Sequence, residues 1–76
     1  MDAQKKTAIS RTRLMLQEPF FGSLAMSCNL KSDDNHSTMY TDGKDIGYSP
    51  AFVEACSVEE VMGVICHEIA HIFLEH

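Results

Sequence analysis

The chain of 76 residues has no tryptophan, two prolines and three cysteines. Cys28, Cys56 and Cys66 are odd in number and too far apart for a Cys-x-x-Cys pair, so we expect no disulfide framework. Reduced thiols, as in a cytosolic protein, are favoured over a redox or metal role. No apolar run approaches the roughly 20 residues of a membrane span, and the N-terminus lacks a signal-peptide core. We therefore expect a soluble cytoplasmic protein.

Length and charge narrow the class of protein further. A chain this short is one small domain, or a piece of a larger one, and buries only about 60–65% of its unfolded surface. The net charge is −5, but residues 1–16 carry four basic residues against one acidic residue. With no aromatic residues among them, these basic residues are typical of a solvated helix face. We expect no nucleic-acid partner.

The first half of the chain predicts a helix followed by a strand. Residues 3–16 are good helix formers with recurring apolar side chains. Pro19 disfavours helical geometry at Glu18 and should end this helix. Residues 20–30 suggest a strand, although Gly22 weakens that prediction. The polar residues 31–37 indicate a loop.

A hairpin is predicted over residues 38–48. Two short runs, 38–41 and 44–48, flank Asp42 and Gly43, a dipeptide suited to a type I′ turn. Ser49 and Pro50 end the second run, and residues 51–56 suggest a short helix.

The final helix should begin at Ser57. Ser57 and Glu60 have the spacing of a capping box, in which each side chain bonds the backbone of the other residue. One broad face behind that box carries the residues expected in the core: Val58, Val61, Met62, Ile65, Ile69, Ile72 and Phe73. The opposite face holds two histidines with mostly small or apolar neighbours: Glu60, Gly63, Val64, His67, Ala70, His71 and Leu74.

Residues 67–71 carry the strongest chemical signal. They read His-Glu-Ile-Ala-His and match His-Glu-x-x-His, a pattern with which many metallopeptidases hold zinc on a helix. Four residues advance a helix by about 40°, so His67 and His71 point the same way and can share one Zn²⁺ at about 2.0–2.1 Å. Glu68 lies beside the first ligand and can take a proton from a zinc-bound water, whose pKa zinc can lower to about 7.

Two histidines do not complete a zinc site, and other interpretations exist. Both could be hydrogen-bonded core residues, but the spacing, Glu68 and the apolar helix coincide, and this favours metal binding. His36 could reach the metal only by a fold-back of its acidic loop, so an ordinary loop histidine is favoured. His76 lies about 180° from His67 on a continuing helix and would face away.

With these elements placed, the chain resembles the family called Putative metallopeptidase domain, found in bacterial and phage proteins, often ahead of a von Willebrand factor A-like domain. The resemblance rests on residues 18–24, 41–43, 48–53, 57–61 and 67–71. It implies an α+β, zincin-like fold: an N-terminal helix, a small antiparallel sheet with the 38–48 hairpin, and the metal-bearing helix. It also implies that His67 and His71 are zinc ligands and that Glu68 is the general base and acid.

The resemblance also predicts that residues 1–76 are an N-terminal fragment of a longer protein. Metzincins place a third ligand at what would be position 77, beyond a glycine where this chain has Leu74, and gluzincins use a downstream acidic residue. Leu-Glu-His at 74–76 is also how a common purification tag begins, so these residues can be native or tag-derived. We expect little activity from the fragment, and self-association or marginal stability from its open groove.

Three functions therefore compete. The first is a zinc-dependent peptidase that hydrolyses peptide or protein substrates, with the hairpin edge aligning an extended peptide. The second is a catalytically inactive zincin-like module that binds a partner. The third is a plain helix–sheet domain with structural histidines. Metal analysis separates the first two functions from the third.

Overall fold

The computed structural model describes residues 2–42 and 44–74. These residues form helices packed on one face of a small sheet, which confirms the predicted α+β class. In chain order the elements are α1 (Ala3–Gln17), α2 (Pro19–Met26), β1 (Leu30–Ser32), β2 (Met39–Thr41), β3 (Ile46–Tyr48), α3 (Pro50–Ala55) and α4 (Val58–Leu74). None of the helices in this part of the chain is long and apolar enough to cross a membrane.

The first helix ends where the sequence predicts, but a second helix replaces the predicted strand. Asp2 caps α1 by accepting a hydrogen bond of 2.8 Å from the backbone N–H of Lys5. Pro19 then occupies the first turn of α2, where its missing N–H costs nothing. A Cβ at Gly22 would overlap the backbone of Met15, so glycine allows α2 to lie directly against α1. The strand prediction for residues 20–30 was therefore wrong.

The sheet has the strand order β1-β3-β2. β2 and β3 pair antiparallel, as predicted for the hairpin, whereas β1 adds in parallel and takes two residues from the predicted 31–37 loop. The last paired residues of the hairpin are Thr41 and Ile46, so the connection is longer than the predicted two-residue turn. Gly43, half of that turn, lies outside the described residues.

Side chains of one sheet face join the helices in a single core. Met39, Ile46 and Tyr48 are buried together with apolar residues of all four helices. On the opposite face, the Tyr40 hydroxyl donates a hydrogen bond of 2.7 Å to Asp33, which lowers the pKa of the Asp33 carboxyl and raises that of Tyr40. The core therefore lies between the sheet and the helices.

Basic side chains of α1 hold neighbouring elements in place. Lys6 donates to the backbone carbonyls of Glu54, at 3.0 Å, and Cys56, at 2.7 Å, and so closes the end of α3, a helix that the sequence predicts. Arg11 donates to the carbonyl of Cys28 at 3.2 Å. Much of the positive charge of α1 is thus used inside the fold.

Candidate metal centre

The capping box predicted at the start of α4 is confirmed. The backbone N–H of Glu60 donates to the Ser57 hydroxyl at 3.1 Å, and the backbone N–H of Ser57 donates to the Glu60 carboxylate at 2.8 Å. Two donors that a helix start leaves unpaired are satisfied in this way. The box fixes where α4 begins and therefore which residues turn toward the core.

The core side of α4 packs against α1, α2 and β2. Val61, Ile65 and Ile69 are completely buried there, as the predicted face requires. Phe73 is 43% exposed, so the predicted core face does not extend to the end of the helix. Because the buried side is fixed by packing, the orientation of the opposite side is fixed too.

His67 and His71 lie together on the exposed side of α4. Their Nε2 atoms are 3.0 Å apart, and their rings are perpendicular with centroids 4.6 Å apart. Two imidazoles on one tetrahedral Zn²⁺ would hold their nitrogen atoms about 3.3 Å apart, given bonds of about 2.0–2.1 Å. The pair therefore fits two ligand positions on one ion with only a small adjustment. Without a metal, one neutral ring can donate this hydrogen bond to the other.

Glu68 joins the histidines although it is buried. Glu68 is only 8% exposed, yet one of its carboxylate oxygens lies within 4.8 Å of a ring nitrogen of each histidine. It makes no hydrogen bond or ion pair with any other described residue. The carboxylate is not fully enclosed, because Arg11 Nε is the only side-chain nitrogen or oxygen in the described structure that is both fully enclosed and unpaired. It places a proton acceptor beside the two imidazoles.

The other candidate ligands lie elsewhere or outside the described residues. His36 stacks on Tyr40 with ring centroids 4.3 Å apart and does not belong to the group around His67. His76 lies outside residues 2–42 and 44–74. Cys66 packs against the core, and burial together with the charge of Glu18 raises the pKa of its thiol. Within the described residues, only His67, Glu68 and His71 form a group able to hold a metal ion.

The histidine side of α4 is open. A Cβ at Gly63 would meet no atom of the described structure within 4 Å, and Leu74 is 47% exposed. Val64 and Ala70 are partly buried. These four residues belong to the face predicted to lie opposite the core, and here they border an accessible surface.

Comparison with known protein families shows which family the chain belongs to. The family described as Putative metallopeptidase domain matches residues 2–76. The chain belongs to this family. The match covers every element described above, including the helix that carries the histidines. Searches of curated proteins and of solved structures found no match. Membership of this family agrees with the presence in α4 of a group that could hold a metal ion.

A cavity that the sequence did not predict lies between the start of α1 and the edge strand β1, away from the histidines. Four separate elements contribute to its lining, so no local sequence pattern could have indicated it.

Proposed function

We propose that the chain is the metal-bearing part of a zinc-dependent peptidase with a zincin-like fold. His67 and His71 would hold the ion, and Glu68 would act as general base and acid. The observation that carries this proposal is the pair of Nε2 atoms 3.0 Å apart on one helix. A carboxylate oxygen of Glu68 lies within 4.8 Å of a ring nitrogen of each histidine. Family membership supports it independently.

The proposed chemistry assigns one proton path to Glu68. Zn²⁺, when bound, supplies Lewis acidity that polarises a carbonyl and lowers the pKa of water to about 7. Glu68 would accept a proton from the water whose oxygen attacks the scissile carbonyl carbon. As the C–N bond breaks, Glu68 would return that proton to the leaving amine nitrogen. The position of Glu68 on α4 keeps its carboxylate within 4.8 Å of a ring nitrogen of each histidine, close to where the ion would bind.

The hairpin suggests how a substrate would be aligned. β2 forms one edge of the sheet and packs against α4, the helix that carries the histidines. An extended peptide running beside β2 would therefore pass near α4. Main-chain hydrogen bonds along an edge strand bind peptides with little regard to sequence, which suits a peptidase.

The alternative is a catalytically inactive module of the same family that binds a protein partner. Within residues 2–42 and 44–74, no further His, Cys, Asp or Glu joins the group of His67, Glu68 and His71. With Glu68 acting as the base, only two protein ligands remain, fewer than a catalytic zinc site normally uses. A catalytic site would need another ligand from outside the described residues.

Calorimetric zinc titration of the chain tests the metal site. We expect weak binding that His71→Ala abolishes, because one imidazole then remains on α4. The matched control is His36→Ala, which removes an exposed loop histidine and should leave binding unchanged. Tight one-to-one binding that is lost with His36→Ala would show that the loop supplies a ligand and would overturn the assignment.

Hydrolysis separates the two proposed functions. With a peptide that the unmodified protein cleaves, Glu68→Gln should keep zinc but lower kcat by roughly two orders of magnitude or more, because the proton acceptor is lost. Glu54→Gln, which removes an exposed carboxylate on α3, should have no effect. Zinc binding without any hydrolysis in the unmodified protein would favour the inactive binding module. The cytoplasmic location remains a prediction from the sequence.

A further inference from the structure

A second possible binding site lies at the sheet edge opposite β2. The cavity there has a volume of about 450 Å³, within the range of small-ligand pockets. It lies between the first turn of α1, the edge strand β1, Tyr48 of β3 and Pro50 of α3. No residue of α4 lines it, so it is separate from the histidine group.

Tyr48 lines this cavity and carries an unpaired hydroxyl. The residue is only 5% exposed, yet its hydroxyl forms no hydrogen bond with any described residue. Arg11 Nε is the only side-chain nitrogen or oxygen in the described structure that is both fully enclosed and unpaired, so the Tyr48 hydroxyl keeps some solvent-accessible surface. A polar ligand group could replace water at this hydroxyl.

The edge of β1 adds main-chain groups beside the cavity. Asn29 accepts a hydrogen bond from Ile46, and Asp33 donates to Tyr48, so alternate residues of this segment face β3. Leu30 and Ser32 therefore direct their N–H and C=O groups away from the sheet. An edge strand with outward backbone groups is a template for another strand.

Charge indicates what side chain such a strand would carry. Among the described residues, Asp2 is the only charged one that lines the cavity. Oδ1 of Asp2 accepts the capping bond from Lys5. Leu30 and Pro50 offer apolar surface for an alkyl stem. Lysine and arginine side chains combine an apolar stem with a cationic end.

We propose that β1 and the adjoining cavity bind an extended basic segment of a partner protein. The segment adds to the sheet beside β1, and one lysine or arginine side chain enters the cavity. Its stem lies on Leu30 and Pro50, and its cationic end interacts with Asp2 and the Tyr48 hydroxyl. This site is independent of zinc and of the proposed peptidase chemistry.

Chemical-shift titration of the isotope-labelled chain tests the proposal directly. The probe is the blocked peptide Ser-Val-Thr-Lys-Thr-Val-Ser, added up to about 1 mM. We expect shifts centred on residues 30–32 and on Tyr48. The same peptide with leucine in place of lysine should bind about two- to fivefold more weakly, and the glutamate version more weakly still.

Three variants separate the parts of the site. Tyr48→Phe removes only the unpaired hydroxyl, so the fold should persist while the lysine peptide binds roughly two- to tenfold more weakly. Asp2→Asn keeps a helix cap but should abolish the preference for lysine over leucine. Ser32→Pro removes an outward N–H without breaking a bond to β3 and should strongly reduce binding. Tyr40→Phe, on the opposite sheet face, is the matched control and should bind as the unmodified chain does.

Several results would overturn this inference. They are the absence of binding, equal affinity for the lysine, leucine and glutamate peptides, and unchanged binding by both Tyr48→Phe and Ser32→Pro. Shifts centred on β2 and α4 would also contradict it and would instead support the substrate edge proposed above. None of these results depends on whether zinc binds or hydrolysis occurs.

Discussion

The two sides of α4 are built from different kinds of residue and serve different ends. On the core side, Val61, Ile65 and Ile69 are completely buried against α1, α2 and β2. On the open side, His67 and His71 are exposed, and the space beside Gly63 contains no described atom within 4 Å. Glu68, buried between the two, has no partner outside the histidine pair. Stability is concentrated on one side of the helix, which leaves the other side free for chemistry.

This separation means that most changes on the open side should spare the fold. A helix fixed by one packed face presents its opposite side chains in a constant orientation. Substitutions on the two sides should therefore differ in their effect on stability as sharply as the burial of the two sides differs.

The largest effect is expected from Ile65→Ala on the core side. Removal of a completely buried side chain should lower the free energy of unfolding by about 2–5 kcal/mol, because apolar burial is lost and a cavity remains. Val64→Ala, one residue toward the open side, should cost less than half as much. Urea unfolding of both variants measures the difference, and equal losses would show that the open side also carries the core.

A smaller effect is expected from adding one methyl group at each of two helical glycines. Gly22→Ala should destabilise the chain by about 1–3 kcal/mol, since the new Cβ would overlap the backbone of Met15 and push α2 from α1. Gly63→Ala enters open space on α4 and should stabilise the chain by roughly 0.5–1 kcal/mol. Thermal unfolding measures both changes. Destabilisation by Gly63→Ala would mean that the open side is covered.

Loss of the helix cap should have a moderate effect. Ser57→Ala removes the acceptor for the Glu60 N–H and should lower the free energy of unfolding by about 0.5–2 kcal/mol. Ser37→Ala, at an exposed loop position, is the control. Unchanged stability of Ser57→Ala would show that packing of the core side alone fixes the start of α4.

The sequence predicted best those features that depend on neighbouring residues. The capping box needs only Ser57 and Glu60, three positions apart, and the histidine pair needs only the helix that this box begins. The hairpin depends on two adjacent runs with a turn between them. The structure confirms these elements because local interactions determine them.

Features that depend on distant residues were missed or left open. The apolar residues 20–30 resemble a strand, whereas a helix forms over most of them and packs on α1 through the close approach of Gly22 to Met15. β1 pairs with β3 some 16 positions along the chain, as in Leu30 with Ile46. A third ligand for the proposed zinc site is a question of the same kind, since no spacing within α4 specifies it.

The weakest expected effect is association between copies of the chain through the open side. Leu74 and Phe73 are 47% and 43% exposed at the end of α4, beside the partly buried Val64 and Ala70. Exposed apolar patches commonly drive association, and a small core benefits from any added burial. We expect the sedimentation coefficient and the melting temperature to rise with protein concentration, and Leu74→Lys to reduce both trends. Leu16→Lys replaces an apolar residue that is 77% exposed on α1 and is the matched control. A monomer with a high, concentration-independent melting temperature would show that the histidine side needs no cover.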